Sequence, residues 1–237
     1  MALGPAYFSA IIGLLGLQRA YWAAAPGVLI AVLLIGLLPG SPAVPAGRRA
    51  HDWHALRAVW RPLTVLYFLV FIRSILQITY AQFLPLYLHL ERGLTVPRAS
   101  YTLTLYLACG ALGGFVGGYL ADRFSGRTVI LASMLGSTPL LALFFFADGW
   151  ASLAGLGAGG FMLLFTIPVN VVMAQELVPS QAGTVSALMM GFSWGMAGLV
   201  FIPLTGWLAD LLSLHAVLAS LLVFPVLGFL LALKLPK

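Results

Sequence analysis

Charge is what this 237-residue chain has least of. Only 8% of its residues are Asp, Glu, Lys or Arg, and just six are acidic, against about 25% charged residues in a typical soluble domain. A water-soluble fold needs a charged and polar surface, so that class is excluded. Sulfur chemistry is as scarce: the single cysteine, Cys109, lies in a glycine-rich run, allows no intrachain disulfide, matches no metal-ligand spacing and reads as a packed apolar thiol. The first apolar run lacks a basic start and leads straight into another, so no cleavable signal peptide is expected. The net charge of +6 comes from twelve Lys and Arg scattered over short loops. That dispersal excludes the concentrated basic face a nucleic-acid partner requires. No cofactor and no metal are expected.

What the chain has in abundance is apolar surface: 62% hydrophobic residues and a mean hydropathy of +1.05. Eight long apolar stretches occupy residues 2–17, 20–39, 62–88, 99–121, 128–147, 150–173, 183–209 and 213–233. A helix crosses the hydrocarbon core with about 20 apolar residues. Runs such as Leu29 to Leu38 and Leu140 to Phe146 are continuously apolar, whereas a barrel strand alternates between lipid-facing and lumen-facing residues. The fold class read from this is an all-α polytopic membrane protein with about eight transmembrane helices, its lipid partner being the bilayer itself.

One long polar connection breaks the series. Residues 41–61 contain Pro42, Pro45, Gly47, two histidines and four arginines and read as a linker between two bundles, residues 1–40 and residues 62–237. Assigning loops alternately puts Arg48, Arg49, Arg57, Arg61, Arg123, Arg127, Lys234 and Lys237 on one side and only Arg19, Arg92 and Arg98 on the other. The basic side is cytoplasmic by the positive-inside rule, so the carboxy terminus is expected there. Within residues 62–237 a segment recurs: Gly118-Tyr-Leu-Ala-Asp122 closes the fourth stretch and Gly206-Trp-Leu-Ala-Asp210 the seventh. Three spans separate the copies, so they should end on opposite faces, as in a 3+3 inverted repeat of the kind transporters use.

Small residues mark where helices can approach closely. Gly110, Gly114 and Gly118 recur every fourth position, as do Gly155 and Gly159, and then Ala187, Gly191 and Gly195. Prolines at positions 26, 85, 139, 168, 203 and 225 interrupt six stretches; each removes an intrahelical hydrogen bond.

The most telling side chain is Arg73, about ten residues or ~15 Å from the cytoplasmic start of its span, hence near mid-depth. A charge there is costly and must face protein or water. Gln77 and Tyr80 follow at i+4 and i+7 on the same face, and Thr166 and Asn170 form a second polar pair flanking Pro168. These five are the candidate substrate-path residues; the alternative is that they tie helices together. Asp52, Glu91, Asp122, Asp148, Glu176 and Asp210 all fall in loops or at span ends. A proton-binding carboxylate, where coupling needs one, is therefore expected outside this chain.

Between the fourth and fifth stretches, Gly117-Gly-Tyr-Leu-Ala-Asp-Arg-Phe-Ser-Gly-Arg127 resembles the signature loop Gly-x-Leu-Ala-Asp-Arg-x-Gly-Arg of the major facilitator superfamily, with Ser125 one residue in excess. The resemblance implies a conformational role for Gly118, Asp122, Arg123, Gly126 and Arg127, and equates residues 62–237 with the six-helix carboxy-terminal lobe of a twelve-helix transporter. Residues 1–40 then correspond to the last two helices of an amino-terminal lobe, Gly4-Pro5 being similar to the tail of the glycine-proline motif of drug antiporters. Arg73, Ala174-Gln-Glu-Leu-Val-Pro179 and the Gly206 to Asp210 ending resemble the fosmidomycin-resistance branch. That likeness implies secondary transport by alternating access, efflux of small anionic antimicrobials and a bacterial inner-membrane location. It also implies a partner: a missing amino-terminal portion, or a second chain, supplying helices one to four.

Two other classes stay open on sequence alone. A chain with one complete lobe could insert without transporting, as a truncated protein or a scaffold. Gly191-Phe-Ser-Trp-Gly195 spells the Gly-x-Ser-x-Gly of serine hydrolases, and an intramembrane protease would need a histidine at hydrogen-bond distance from Ser193. The nearest in sequence, His215, begins the next span at the external face, while Ser193 lies about 16 residues deeper, roughly 24 Å.

Overall fold

In the computed structural model, residues 4–16, 18, 21, 24–37, 57 and 59–235 are described. Every regular element among them is helical. The elements are α1 (Gly4–Leu15), α2 (Ala25–Leu37), α3 (Trp60–Leu90), α4 (Val96–Arg123), α5 (Gly126–Phe146), α6 (Gly149–Leu163), α7 (Thr166–Leu177), α8 (Ala182–Ser186), a π-helical turn (Ala187–Phe192), α9 (Ser193–Leu211), α10 (Leu214–Ser220) and α11 (Val223–Ala232). Several of these run on into one another, so the lobe consists of six rods: Trp60–Leu90, Val96–Arg123, Gly126–Phe146, Gly149–Leu177, Pro179–Leu211 and Leu214–Ala232. Each is long and apolar enough to cross a bilayer. Among the described residues α1 and α2 span only 12 and 13 residues, short of the roughly 20 a crossing takes. Six full spans are therefore described where eight were expected. The linker's residues 41–56 and 58 lie outside the described residues, as do Arg19, Arg48, Arg49 and Lys237 of the charge count. The first long helix begins at Trp60, two residues before the expected start.

The six rods alternate in direction. Glu91, ending α3, accepts hydrogen bonds from the Leu214 and His215 amides at 2.6 and 3.0 Å, which fixes one end of the bundle. Arg127, opening α5, donates to the Leu233 carbonyl at 3.0 Å at the other. Asp122 ends the second rod and Asp210 the fifth, so the two Gly-x-Leu-Ala-Asp copies terminate at opposite ends, as an inverted repeat demands. Lipid-facing positions such as Phe115, Leu199 and Trp207 are exposed and apolar, the arrangement of an integral membrane protein.

Packing divides into two apolar cores stacked along the bundle. One, toward the Glu91 end, contains Ile75, Tyr80, Tyr87, Tyr106, Phe144, Leu163 and Ala197. The other, toward the Arg127 end, contains Leu66, Val70, Met134, Phe165, Val169 and Met189. On α3 the changeover falls between Val70 and Ile75, on the fourth rod between Leu164 and Phe165, and on the fifth between Met189 and Ala197. The buried polar residues Arg73, Ser74, Thr166 and Ser193 occupy that changeover, which gives the lobe a polar layer at mid-depth.

The fourth rod is broken there for an identifiable reason. Pro168 has no N–H to return to the Leu164 carbonyl; the Ile167 amide takes that carbonyl instead, at 3.2 Å, and the helix restarts at Thr166. Close approach of α4 to this rod rests on Gly110, Gly113 and Gly117. A Cβ on Gly113 or Gly117 would overlap the backbone of Phe161 or Phe165, and one on Gly110 the Leu164 side chain. Gly114 and Gly118 have only loose neighbours, at 3.8 and 3.7 Å from a Cβ position. The tight seam thus follows i, i+3, i+7 instead of the expected every-fourth pattern. Gly191 and Gly195, expected to pack a helix, meet nothing within 4 Å among the described residues.

Candidate functional site

A cavity of about 230 Å³ opens where α3, α7 and the fifth rod meet at mid-depth. Its wall carries Arg73 and Gln77 from α3, one turn apart, and the apolar side chains Val70, Ile167, Val171 and Met190, with Trp194 closing it. Tyr67 stacks toward Phe192 with ring centroids 6.2 Å apart, while Ile78 lies beside Gly198. The third and seventh expected spans therefore run side by side in the same direction, which carries Met190 and Trp194 past Arg73.

Arg73 is 6% exposed. One terminal nitrogen of its guanidinium donates to Gln77 Oε1, the other to Ser74 Oγ at 3.0 Å, and Nε has no hydrogen-bond partner. No carboxylate pairs with it among the described residues. The Tyr106 phenol lies within electrostatic reach of it and is itself buried with an unpartnered hydroxyl. A buried cation without a counter-ion is costly, and this one is held in place by two neutral acceptors.

The other expected path residues stand behind the wall. Tyr80 is fully buried, donates to the Leu218 carbonyl at 3.2 Å and packs against the Tyr106 and Phe145 rings; the polar stripe on α3 therefore stops at Gln77. Thr166 and Asn170 are fully buried, and their successors Ile167 and Val171 face the cavity instead, a one-residue rotation about the α7 axis. Thr166 returns its hydroxyl to the Leu163 carbonyl at 3.3 Å, across the Pro168 break. Both amide atoms of Asn170 lack partners.

At the signature loop, Asp122 and Arg123 are exposed and make no hydrogen bond or ion pair among the described residues, while Arg127 caps α11 through the Leu233 carbonyl. Ser125, the residue in excess of the family pattern, is the N-cap of α5: its hydroxyl accepts from the Thr128 amide at 3.2 Å, meeting an orphan donor of the helix start. Gly126 sits against the flexible Met173 side chain. Ser193 is buried with no partner, and the Nδ1 atom of His215 is 3.0 Å from the Tyr87 hydroxyl, so no Ser193–histidine pair is formed among the described residues.

Comparison with known proteins decides the family. A sequence model of the Major Facilitator Superfamily matches residues 66–237. The chain belongs to that superfamily. Its members are transporters, not enzymes, which removes the protease reading of Ser193. The chain is 28% identical over 97% of its length to the fosmidomycin resistance protein of Escherichia coli, covering 58% of that protein. It is 39% identical over 143 residues to an uncharacterized MFS-type transporter, YfnC, of Bacillus subtilis, covering 60% of this chain and 34% of the relative. A probable sulfoacetate transporter, SauU, of Cupriavidus necator is 28% identical over 70% of the chain and 40% of its own length. The chain thus spans one third to three fifths of these relatives. The crystal structure of the superfamily transporter FucP in the outward conformation matches 94% of the chain and 55% of its own length, with a TM-score of 0.67 at 21% identity, a likeness of fold.

Sequence reading missed Met190 and Trp194 on the cavity wall, although their i, i+4 spacing matches Ile167 and Val171. It also missed Arg92, counted only as a loop charge. Arg92 donates to the Tyr87 hydroxyl at 2.8 Å, to Ser152 Oγ at 2.7 Å and to the Phe144 and Phe145 carbonyls at 2.8 and 3.1 Å, and its guanidinium lies over the Tyr87 and Phe144 rings. With Glu91 capping α10, this dipeptide joins four rods of the superfamily lobe at one end.

Proposed function

We propose that the chain is the carboxy-terminal part of a secondary transporter that moves small anionic molecules outward by alternating access, with Arg73 and Gln77 as the polar head of the substrate path. One observation carries this reading: an arginine at mid-depth, on the wall of a cavity, with no carboxylate to neutralise it among the described residues. Such a group is stabilised when an anion arrives and costly while it is absent. Two relatives are named for fosmidomycin and sulfoacetate, both organic anions, which supports the substrate class and, for the first, efflux of an antimicrobial. On this reading residues 62–237 form the substrate-binding lobe and 41–61 the cytoplasmic linker. Residues 1–40 are the end of an amino-terminal lobe that a preceding portion or a second chain completes. Tyr80, Thr166 and Asn170 support the path from behind, the Asp122–Arg127 loop fastens one conformation at the cytoplasmic face, and the protein resides in the bacterial inner membrane with its carboxy terminus inside.

The test is accumulation of a labelled organic anion in cells expressing the chain, with and without a complementary amino-terminal lobe. Expression should lower accumulation, and Arg73→Ala should weaken the effect by about 10- to 100-fold, the worth of one charge-assisted contact. Undiminished efflux by Arg73→Ala would show that Arg73 is not on the path. No efflux under either condition would leave a membrane scaffold as the better account.

A further inference from the structure

The cavity wall has a chemistry that narrows the substrate beyond its charge. Its unengaged hydrogen-bonding capacity is mostly donor capacity: the second N–H of each Arg73 terminal nitrogen, the Gln77 amide nitrogen and the Trp194 indole N–H. The one strong side-chain acceptor, Gln77 Oε1, already accepts from Arg73. A group that must donate, such as an ammonium, a protonated acid or a sugar hydroxyl, would find there only the second lone pair of Gln77 Oε1, an oxygen already facing the guanidinium, and the weak Met190 sulfur. A group that only accepts, such as an ionised carboxylate, matches this donor-rich wall. There is one positive charge and no second cation on the wall, so one negative charge is balanced and a second is not.

The remaining wall is apolar. Val70, Ile167, Val171, Met190 and the body of Trp194 face the same volume, which at about 230 Å³ accommodates one small organic molecule. These side chains offer nothing to a hydrophilic body, while an alkyl or aryl group against them gains about fourfold in affinity per methylene removed from water. Resting on the reading of Arg73 as an anion site, we infer that the preferred substrate is a monoanionic amphiphile. Its single ionised acceptor head lies at Arg73, Gln77 and the Trp194 N–H, and its short apolar body lies against Val171, Ile167 and Met190. A compact hydrophilic dianion is the poorer ligand.

Equilibrium binding to the full chain in lipid nanodiscs, with uptake by empty nanodiscs subtracted, separates the possibilities. The probes are hexanoate, acetate, hexanamide and sulfoacetate. Hexanoate should bind on the order of a hundredfold more tightly than acetate, from four added methylenes, and hexanamide, which lacks the charge, should bind far more weakly than hexanoate. Val171→Asn should cut hexanoate's advantage over acetate several-fold; because it spares Arg73 and is checked for folding by its melting curve, it tests the apolar wall. Acetate or sulfoacetate binding as tightly as hexanoate, in an Arg73-dependent way, overturns the amphiphile inference and leaves the anion site standing. Hexanamide matching hexanoate overturns the head assignment. Binding of no anion, or binding indifferent to Arg73→Gln in a folded variant, overturns the anion site itself and this inference with it.

Discussion

Arg73 carries a stability cost that the proposed anion path would explain. Its burial without a counter-ion works against stability, and its two neutral partners, Gln77 and Ser74, recover only part of that loss. Replacing it by an isosteric apolar residue should therefore stabilise the ligand-free lobe: Arg73→Met is expected to gain about 1–3 kcal/mol, seen as a higher melting temperature in detergent, while losing anion binding. A lower melting temperature would mean that the guanidinium is a structural tie. Arg92 is the opposite case. It satisfies the Phe144 and Phe145 carbonyls, two of the orphan acceptors that end α5, and reaches two further oxygens. Lysine keeps the charge but not the planar fork, so Arg92→Lys should lose most of the stability that Arg92→Ala loses. Thermal unfolding of the two variants side by side checks this.

At the scale of the element, the glycines of α4 were legible in kind but not in register. The sequence displays Gly110, Gly114 and Gly118 as a four-residue repeat, yet Gly113 and Gly117 also lie in that run, and a repeat of small residues does not say which face meets a neighbour. The neighbour decides: where α4 crosses the fourth rod, the Phe161 and Phe165 backbones press on Gly113 and Gly117. Gly113→Ala should cost about 1–3 kcal/mol through overpacking against backbone, whereas Gly114→Ala should be close to neutral, a contrast that melting curves resolve. The fifth rod teaches the same lesson. Gly191 and Gly195 look like a packing seam in the sequence, but they lie open in the described structure. The π-helical turn at Ala187–Phe192 sets the rotation that aims Met190 and Trp194 at the cavity, and such turns concentrate at functional sites. No pattern in the sequence announces an added residue per turn.

For the whole molecule, the inverted repeat fixes a geometric expectation. Single cysteines replacing Asp122 and Asp210, in a Cys109→Ser background, should label from opposite sides of the membrane with an impermeant thiol reagent. Labelling of both from one side would contradict the alternation of the six rods. The clasp of Glu91 and Arg92 at one end and the Arg127 cap at the other bind the rods into one lobe at its two faces, with the polar layer between them.

The sequence by itself determined the solvent, the helical class, the span order, the repeat and the residue at the centre of the site. Hydrophobic run length, loop charge and a mid-span arginine are properties of the chain read in one dimension, and the bilayer turns them directly into topology. Only the tertiary structure decided which side chains share the cavity. Tyr80, Thr166 and Asn170 have the right spacing but are buried behind the wall, while Ile167, Val171, Met190 and Trp194 line the cavity. A rotation of about 100° per residue separates lining from backing, and that rotation is set by the proline break, the π turn and the glycine contacts between helices distant in sequence.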